Sequence, residues 1–195
     1  MSDDRIIDNN NQGRLNAKEF FSLENVFTIK NIAVMGLLLA IRFFLGLPFM
    51  TIYVMGVKII TFAYLCDAIT AMLFGPWAAI LFGFAGDTLG YIASMSTGGA
   101  YMPVFAISEM MTGFIFALFL YKRKVAVKNV IIAWILNLFI VILGLNSLWL
   151  ILMFGMSAGK VLTLTRFGIN LLQFPVHVAL TYFILKAIRN RIYKL

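Results

Sequence analysis

The 195-residue chain is 62% hydrophobic and only 12% charged, with a mean hydropathy of +0.95. A soluble domain carries roughly 45–50% apolar and ~25% charged residues, and one small core cannot hide such an excess, so most of the chain is solvated by lipid. Long unbroken apolar runs exclude a β-barrel, whose segments of ~10 residues alternate, and the net charge of +8 sits at helix ends, which points to topology signals and not to nucleic-acid binding.

Residues 1–27 are polar and of mixed charge. They lack the basic-then-apolar order of a cleaved signal peptide. They are expected to form a polar cytoplasmic tail, ending in a short interfacial helix around 20–27, ahead of a membrane domain over 28–195. A bilayer core of ~30 Å needs ~20 helical residues. Six segments qualify: about 29–47, 58–74, 77–93, 103–121, a fifth from 127 past Gly144, and 165–189. The fold class is therefore an all-α integral membrane protein with six transmembrane helices. Residues 148–164 are apolar but interrupted by Gly155 and Gly159, and either extend the fifth helix or form a re-entrant loop.

Lys and Arg set orientation. Arg5, Arg14, Lys18 and Lys30 precede the first span; Lys122, Arg123, Lys124 and Lys128 follow the fourth; Lys186, Arg189, Arg191 and Lys194 end the sixth. Six spans put all three groups on one side, expected to be cytoplasmic, with both termini there in a multi-pass cell-membrane protein. Of 16 bases, 12 are thus used and four remain: Arg42, Lys58, Lys160 and Arg166. These lie on or near the opposite half of the membrane. Snorkelling to the interface explains any one of them; the four together point to a site for an anionic solute.

Asp67, Asp87 and Glu109 lie within apolar runs. Insertion scales put a charge at the bilayer centre at about 2.5–3.5 kcal/mol, so such groups face protein or a cavity. Each is read either as a partner for a base or another helix, or as a solute contact. His177 is read as a packed histidine bonding across helices. Gly86 and Gly90, like Ala33, Gly36 and Ala40 in the first span, form small-residue stripes suited to close helix approach. No catalytic pairing or metal-ligand spacing occurs, no cofactor is expected, and no GxxxxGK[ST] is present, so ATP hydrolysis would need a partner. The single cysteine, Cys66, excludes an intrachain disulfide.

Three stretches carry a family resemblance. They are MLFGPWAAILFGFAGDTLGY (72–91), GAYMPVFAISEMMTGFIFALFLYKRK (99–124), and LNSLWL (145–150) followed by Arg166, Asn170 and FPVHVAL. Together they resemble the folate-type S components of energy-coupling factor (ECF) vitamin transporters. The resemblance implies a six-helix bundle that captures a B vitamin from outside with nanomolar-class affinity. It implies docking, through the first helix at Gly36, Ala40 and Ala33, onto a transmembrane coupling subunit that carries two cytoplasmic ATPases. The chain itself would not be an enzyme. Arg42, Lys58, Lys160 and Arg166 would meet the solute's carboxylate. Tyr101, Phe105, Asn146 and Trp149 would line the pocket, and Asn170 would hold an amide or hydroxyl. Lys58 stands one residue from the basic position of folate-type members, which keeps pantothenate as a rival solute. A stand-alone secondary transporter of a small organic anion is the alternative class; it predicts an inverted repeat, which the sequence does not display.

Overall fold

The computed structural model describes residues 21, 26–47, 52–54, 57–60, 62–94, 103–155 and 164–192. Among them run six helices and one hairpin. In chain order these are α1 (Ile29–Gly46), β1 (Ile52–Val54), β2 (Val57–Ile60), α2 (Tyr64–Phe74), α3 (Pro76–Ser94), α4 (Pro103–Leu120), α5 (Val127–Leu136), a π-helical stretch (Asn137–Leu145), α6 (Asn146–Phe154) and α7 (Leu164–Ile192). α5, the π-helical stretch and α6 form one continuous helix. Four helices are long and apolar enough to cross a membrane: Ile29–Gly46, Pro103–Leu120, Val127–Met153 and Phe167–Arg191. α3, with 19 residues, spans about 28 Å at the α-helical rise.

The second span departs from the expected 58–74. Its first residues form an antiparallel hairpin, with Tyr53 opposite Lys58 and Val54 opposite Val57. The local reason is a run of β-branched residues, Ile52, Val54, Val57, Ile59 and Ile60, which favour a pleated backbone. Apolarity alone does not separate such a strand from a helix. What remains helical is the 11-residue α2, about 16 Å long, and most of its residues are buried.

Near Asn146 the fifth helix changes its winding without a gap, passing from π to α geometry. Residues 148–154 continue the fifth helix, which stops at Gly155 in the left-handed region, φ +61°. Residues 156–163 lie outside the described residues. α2 meets α3 at Gly75-Pro76. Gly75 has φ +86°, and a Cβ there would stand 2.9 Å from the Tyr121 ring. Pro76 then opens α3 where its missing N–H has no helical partner to lose.

Helix ends gather at two poles. At one, the Trp77 indole donates to the Phe21 carbonyl at 3.2 Å, Gly75 abuts Tyr121, and Arg189 donates to the Arg123 carbonyl. This basic pole holds the α4–α5 loop and the end of α7. The hairpin stands at the other pole, where β2 runs alongside α7.

The interior is layered between them. Nearest the basic pole, Leu120, Val130 and Leu185 are closed off from solvent. One turn further, Phe116 and Trp134 meet edge to face at 5.4 Å, with Tyr64 and His177 packed on Trp134 at 5.0 and 4.9 Å. Such ring pairs contribute roughly 0.5–1.5 kcal/mol each beyond burial. Another turn towards the hairpin, the same faces carry Thr112, Asn137 and Gln173, all buried. The tight apolar packing is thus at the basic pole, and the interior turns polar towards the hairpin. Outward faces carry Leu37, Leu81, Phe139, Leu152, Leu172 and Phe183, all exposed, a surface suited to lipid tails.

Candidate functional site

Two polar groupings occupy the hairpin half. The first is ionic and joins four helices. Arg42, on α1, donates from Nε to Asp67 Oδ1 and from Nη2 to Glu109 Oε2, both at 2.8 Å. Arg42 is the only buried residue of α1 among those described. Its guanidinium occupies the place a Cβ of Gly86 would take on α3. Asp87, also on α3, adds its charge to the field at Arg42 and Glu109. Gly86 was expected to let two helix backbones approach; it admits a side chain instead. Close backbone approaches are at Gly83, where a Cβ would stand 2.5 Å from the Glu109 carbonyl oxygen, and at Gly113, where one would stand 2.4 Å from the Ala79 carbonyl oxygen.

The second grouping lines the interior between α4, the fifth helix and α7. The Trp149 indole donates to Ser108 Oγ at 3.1 Å. The Thr112 hydroxyl lies 3.1 Å from the Ser108 carbonyl and 3.0 Å from Asn137 Oδ1, so one proton is shared between two acceptors. Asn146 Oδ1 and Ser147 Oγ are buried without a hydrogen-bond partner among the described residues. On α7, Arg166, Asn170, Gln173 and His177 recur at i, i+4, i+7 and i+11, which is one face of a helix. The π-helical winding is what delivers Asn137 and Asn146 to this interior, since it resets the helical phase between them.

The candidate residues divide accordingly. Phe105 is half-buried on α4, one turn from Ser108 and Glu109, while Asn146 and Trp149 share α6 and Asn170 lies on α7. Arg42 belongs to the ionic grouping, with Asp67 and Glu109 at its Nε and Nη2. Lys58 lies on β2 and Arg166 in the first turn of α7. Tyr101 and Lys160 are outside the described residues. Ala33, Gly36 and Ala40 are exposed on α1, and no described residue lies within 4 Å of where a Gly36 Cβ would stand. Sequence reasoning missed Tyr64, Ser108, Thr112, Asn137, Ser147 and Gln173. The usable signal was polar residues recurring at helical spacing inside apolar runs, as at Ser108 and Thr112 or along α7.

Trp149→Phe removes one hydrogen bond and keeps the ring. The expected loss is about 1 kcal/mol, read as a lowered melting temperature in detergent. An unchanged melt would mean that the Ser108 contact carries no stability.

The chain is similar to known proteins over this same architecture. Residues 26–190 match the family model described as ECF-type riboflavin transporter, S component. The folate transporter FolT of Clostridium novyi (strain NT) is 35% identical over 123 residues, 63% of this chain and 70% of that protein. FolT of Leuconostoc mesenteroides subsp. mesenteroides is 29% identical over 131 residues, 65% and 70% of the two chains. Among solved structures, FolT bound with folic acid superposes with a TM-score of 0.72 at 27% identity, over 82% of this chain and 95% of that one. With its six-helix architecture, its polar lining and a family match over most of its length, the chain belongs to the S components of ECF-type vitamin transporters.

Proposed function

We propose that this S component binds folate in the polar interior of its hairpin half. The observation that carries the reading is the set of buried polar residues Ser108, Thr112, Asn137 and Gln173, with the Trp149 indole donating to Ser108 and with Arg166 in the first turn of α7, seven residues before Gln173. An elongated solute with ring systems and terminal carboxylates needs such a lining: hydrogen-bonding groups along its length and bases at one end. The likeness to two FolT proteins and to FolT bound with folic acid supports the same solute. Riboflavin, the vitamin in the family description, has no carboxylate for Lys58, Lys160 and Arg166 to meet. Pantothenate has a carboxylate but no ring for Trp149 and Phe105 to cover.

In this reading Phe105, Trp149 and Tyr101 cover the rings. Asn146 and Asn170 hold amide or hydroxyl groups. Lys58, Lys160 and Arg166 pair the carboxylates, and Arg42 holds Glu109 at the edge of the site. Residues 28–195 make up the binding domain. The basic pole and both termini face the cytoplasm, as the Lys and Arg distribution directs. The exposed small residues Ala33, Gly36 and Ala40 let a coupling subunit approach α1 closely. That subunit and its two ATPases supply the energy, and this chain catalyses no reaction.

Isothermal calorimetry on the purified chain, with mass spectrometry of co-purifying small molecules, tests the solute. Folate is expected to bind tightly and to be carried through purification. Tight binding of pantothenate or riboflavin, with none for folate, overturns the assignment. Arg166→Ala is expected to weaken folate roughly tenfold or more, the loss of one charge-assisted contact. Unchanged affinity removes Arg166 from the site.

A further inference from the structure

The aromatic layer below the polar interior holds two polar atoms without partners. The Tyr64 hydroxyl and His177 Nε2 are both buried and make no hydrogen bond among the described residues. Tyr64 is only 8% exposed, and its ring centroid lies 4.5 Å from that of His177. Neighbouring polar groups in the same layer are satisfied: the Trp134 indole donates to Thr181 Oγ1 at 3.1 Å, and Thr181 donates to the His177 carbonyl at 2.7 Å. A buried polar atom left unpaired costs about 1–3 kcal/mol, so two side by side, from different helices, require an explanation.

Their position supplies one. Towards the basic pole the interior is sealed by Phe116, Leu120, Val130 and Leu185. Towards the hairpin the next layer is polar. Tyr64 and His177 therefore stand where the polar interior ends. His177 also closes the polar face of α7, eleven residues and about 16 Å beyond Arg166.

We propose that Tyr64 Oη and His177 Nε2 form the floor of the vitamin site and read the heteroaromatic end of the solute. This rests on the folate reading and gives the solute a direction: ring end down, carboxylates towards Arg166. A neutral imidazole and a phenol present both donor and acceptor capacity, which suits the mixed donor–acceptor edge of an aminopyrimidinone ring. A carboxylate is excluded at this depth. It would demand donors only, and no cation stands in the layer among the described residues to offset its burial.

His177 is the sole histidine of the chain, so a single imidazole signal reports the floor. The protein, labelled with 15N-histidine in nanodiscs, is titrated with folate, with pteroate (pterin end without glutamate) and with p-aminobenzoylglutamate (glutamate end without the pterin). Folate and pteroate are expected to shift the Nε2 resonance, and p-aminobenzoylglutamate to leave it in place. Tyr64→Phe is expected to weaken folate and pteroate about tenfold, one hydrogen bond's worth, and to leave p-aminobenzoylglutamate affinity unchanged. A merely structural role for Tyr64 would affect all three ligands alike. Folate binding by calorimetry with a stationary His177 signal overturns the floor and leaves the folate reading intact. Failure of folate to bind the unmodified chain overturns the folate reading, and the direction assigned to the solute falls with it.

Discussion

Arg42→Ala is expected to be the most damaging single side-chain truncation in this protein, at about 3 kcal/mol or more. Removing one partner of a buried ion pair leaves an uncompensated charge, which typically costs about 3–5 kcal/mol. Here two carboxylates are orphaned, but not equally. The Asp67 side chain is 4% exposed and that of Glu109 is 36%, so Glu109 recovers solvation that Asp67 cannot. The expected order of destabilisation is Arg42→Ala, then Asp67→Asn, then Glu109→Gln. Thermal unfolding in one detergent, with folded yield as a second readout, measures it. The triple replacement Arg42→Met, Asp67→Asn, Glu109→Gln is expected to recover much of the Arg42→Ala loss, because no charge then remains unpaired. A triple variant as unstable as Arg42→Ala would show that the arginine acts through packing and not through its charge.

The consequence for α1 is specific. Every other described residue of that helix is exposed or only half-buried. The helix is seated mainly through one guanidinium and a small apolar patch near its start, where Met35 and Leu38 pack on Val26, Phe74 and Ala78. Its small residues Ala33, Gly36 and Ala40 stay exposed among the described residues.

Five of the six helices were legible as apolar runs of bilayer length, and their bounds at Pro76, Pro103 and Gly155 follow from residues whose backbone preferences are strong. The second span was legible in its end at Phe74 but not in its start, since Ile59 and Ile60 are as apolar in a strand as in a helix. The ionic grouping was half visible. An arginine and three acids inside apolar runs announce buried pairing, but sequence separations of 25 between Arg42 and Asp67 and 67 between Arg42 and Glu109 give no hint of who meets whom. For the same reason Arg42 read as one of four bases awaiting a solute, when two acids of the chain itself already surround it. Trp149 and Asn146 stood out by type. Tyr64 and Gln173 did not, because a tyrosine or glutamine beside apolar neighbours looks the same at a lipid interface as in a buried layer. Only the assembled bundle shows that the two lie on either side of the boundary where packing gives way to polar groups.

The glycines of α3 make the second large prediction, and one helix serves as its own control. A methyl group at Gly83 would stand 2.5 Å from the Glu109 carbonyl oxygen and 3.0 Å from the Met110 nitrogen. Those are backbone atoms, which do not swing aside, so Gly83→Ala must push α3 and α4 apart. Forced overpacking costs typically about 1–3 kcal/mol, and larger residues such as valine are expected to abolish folding. At Gly90, two turns along, an added Cβ would meet nothing within 4 Å among the described residues. Gly90→Ala is expected to be neutral or slightly stabilising, since alanine is favoured over glycine by about 0.5–1 kcal/mol within a helix. Equal melting temperatures for the two variants would refute the close α3–α4 contact. The Gly83 variant carries a further consequence, because the backbone it displaces is that of Glu109. Moving Glu109 away from α3 lengthens its pair with Arg42, so Gly83→Ala and Glu109→Gln are expected to be non-additive. The double variant should then lose less than the sum of the two single losses, the signature of neighbours acting on one contact.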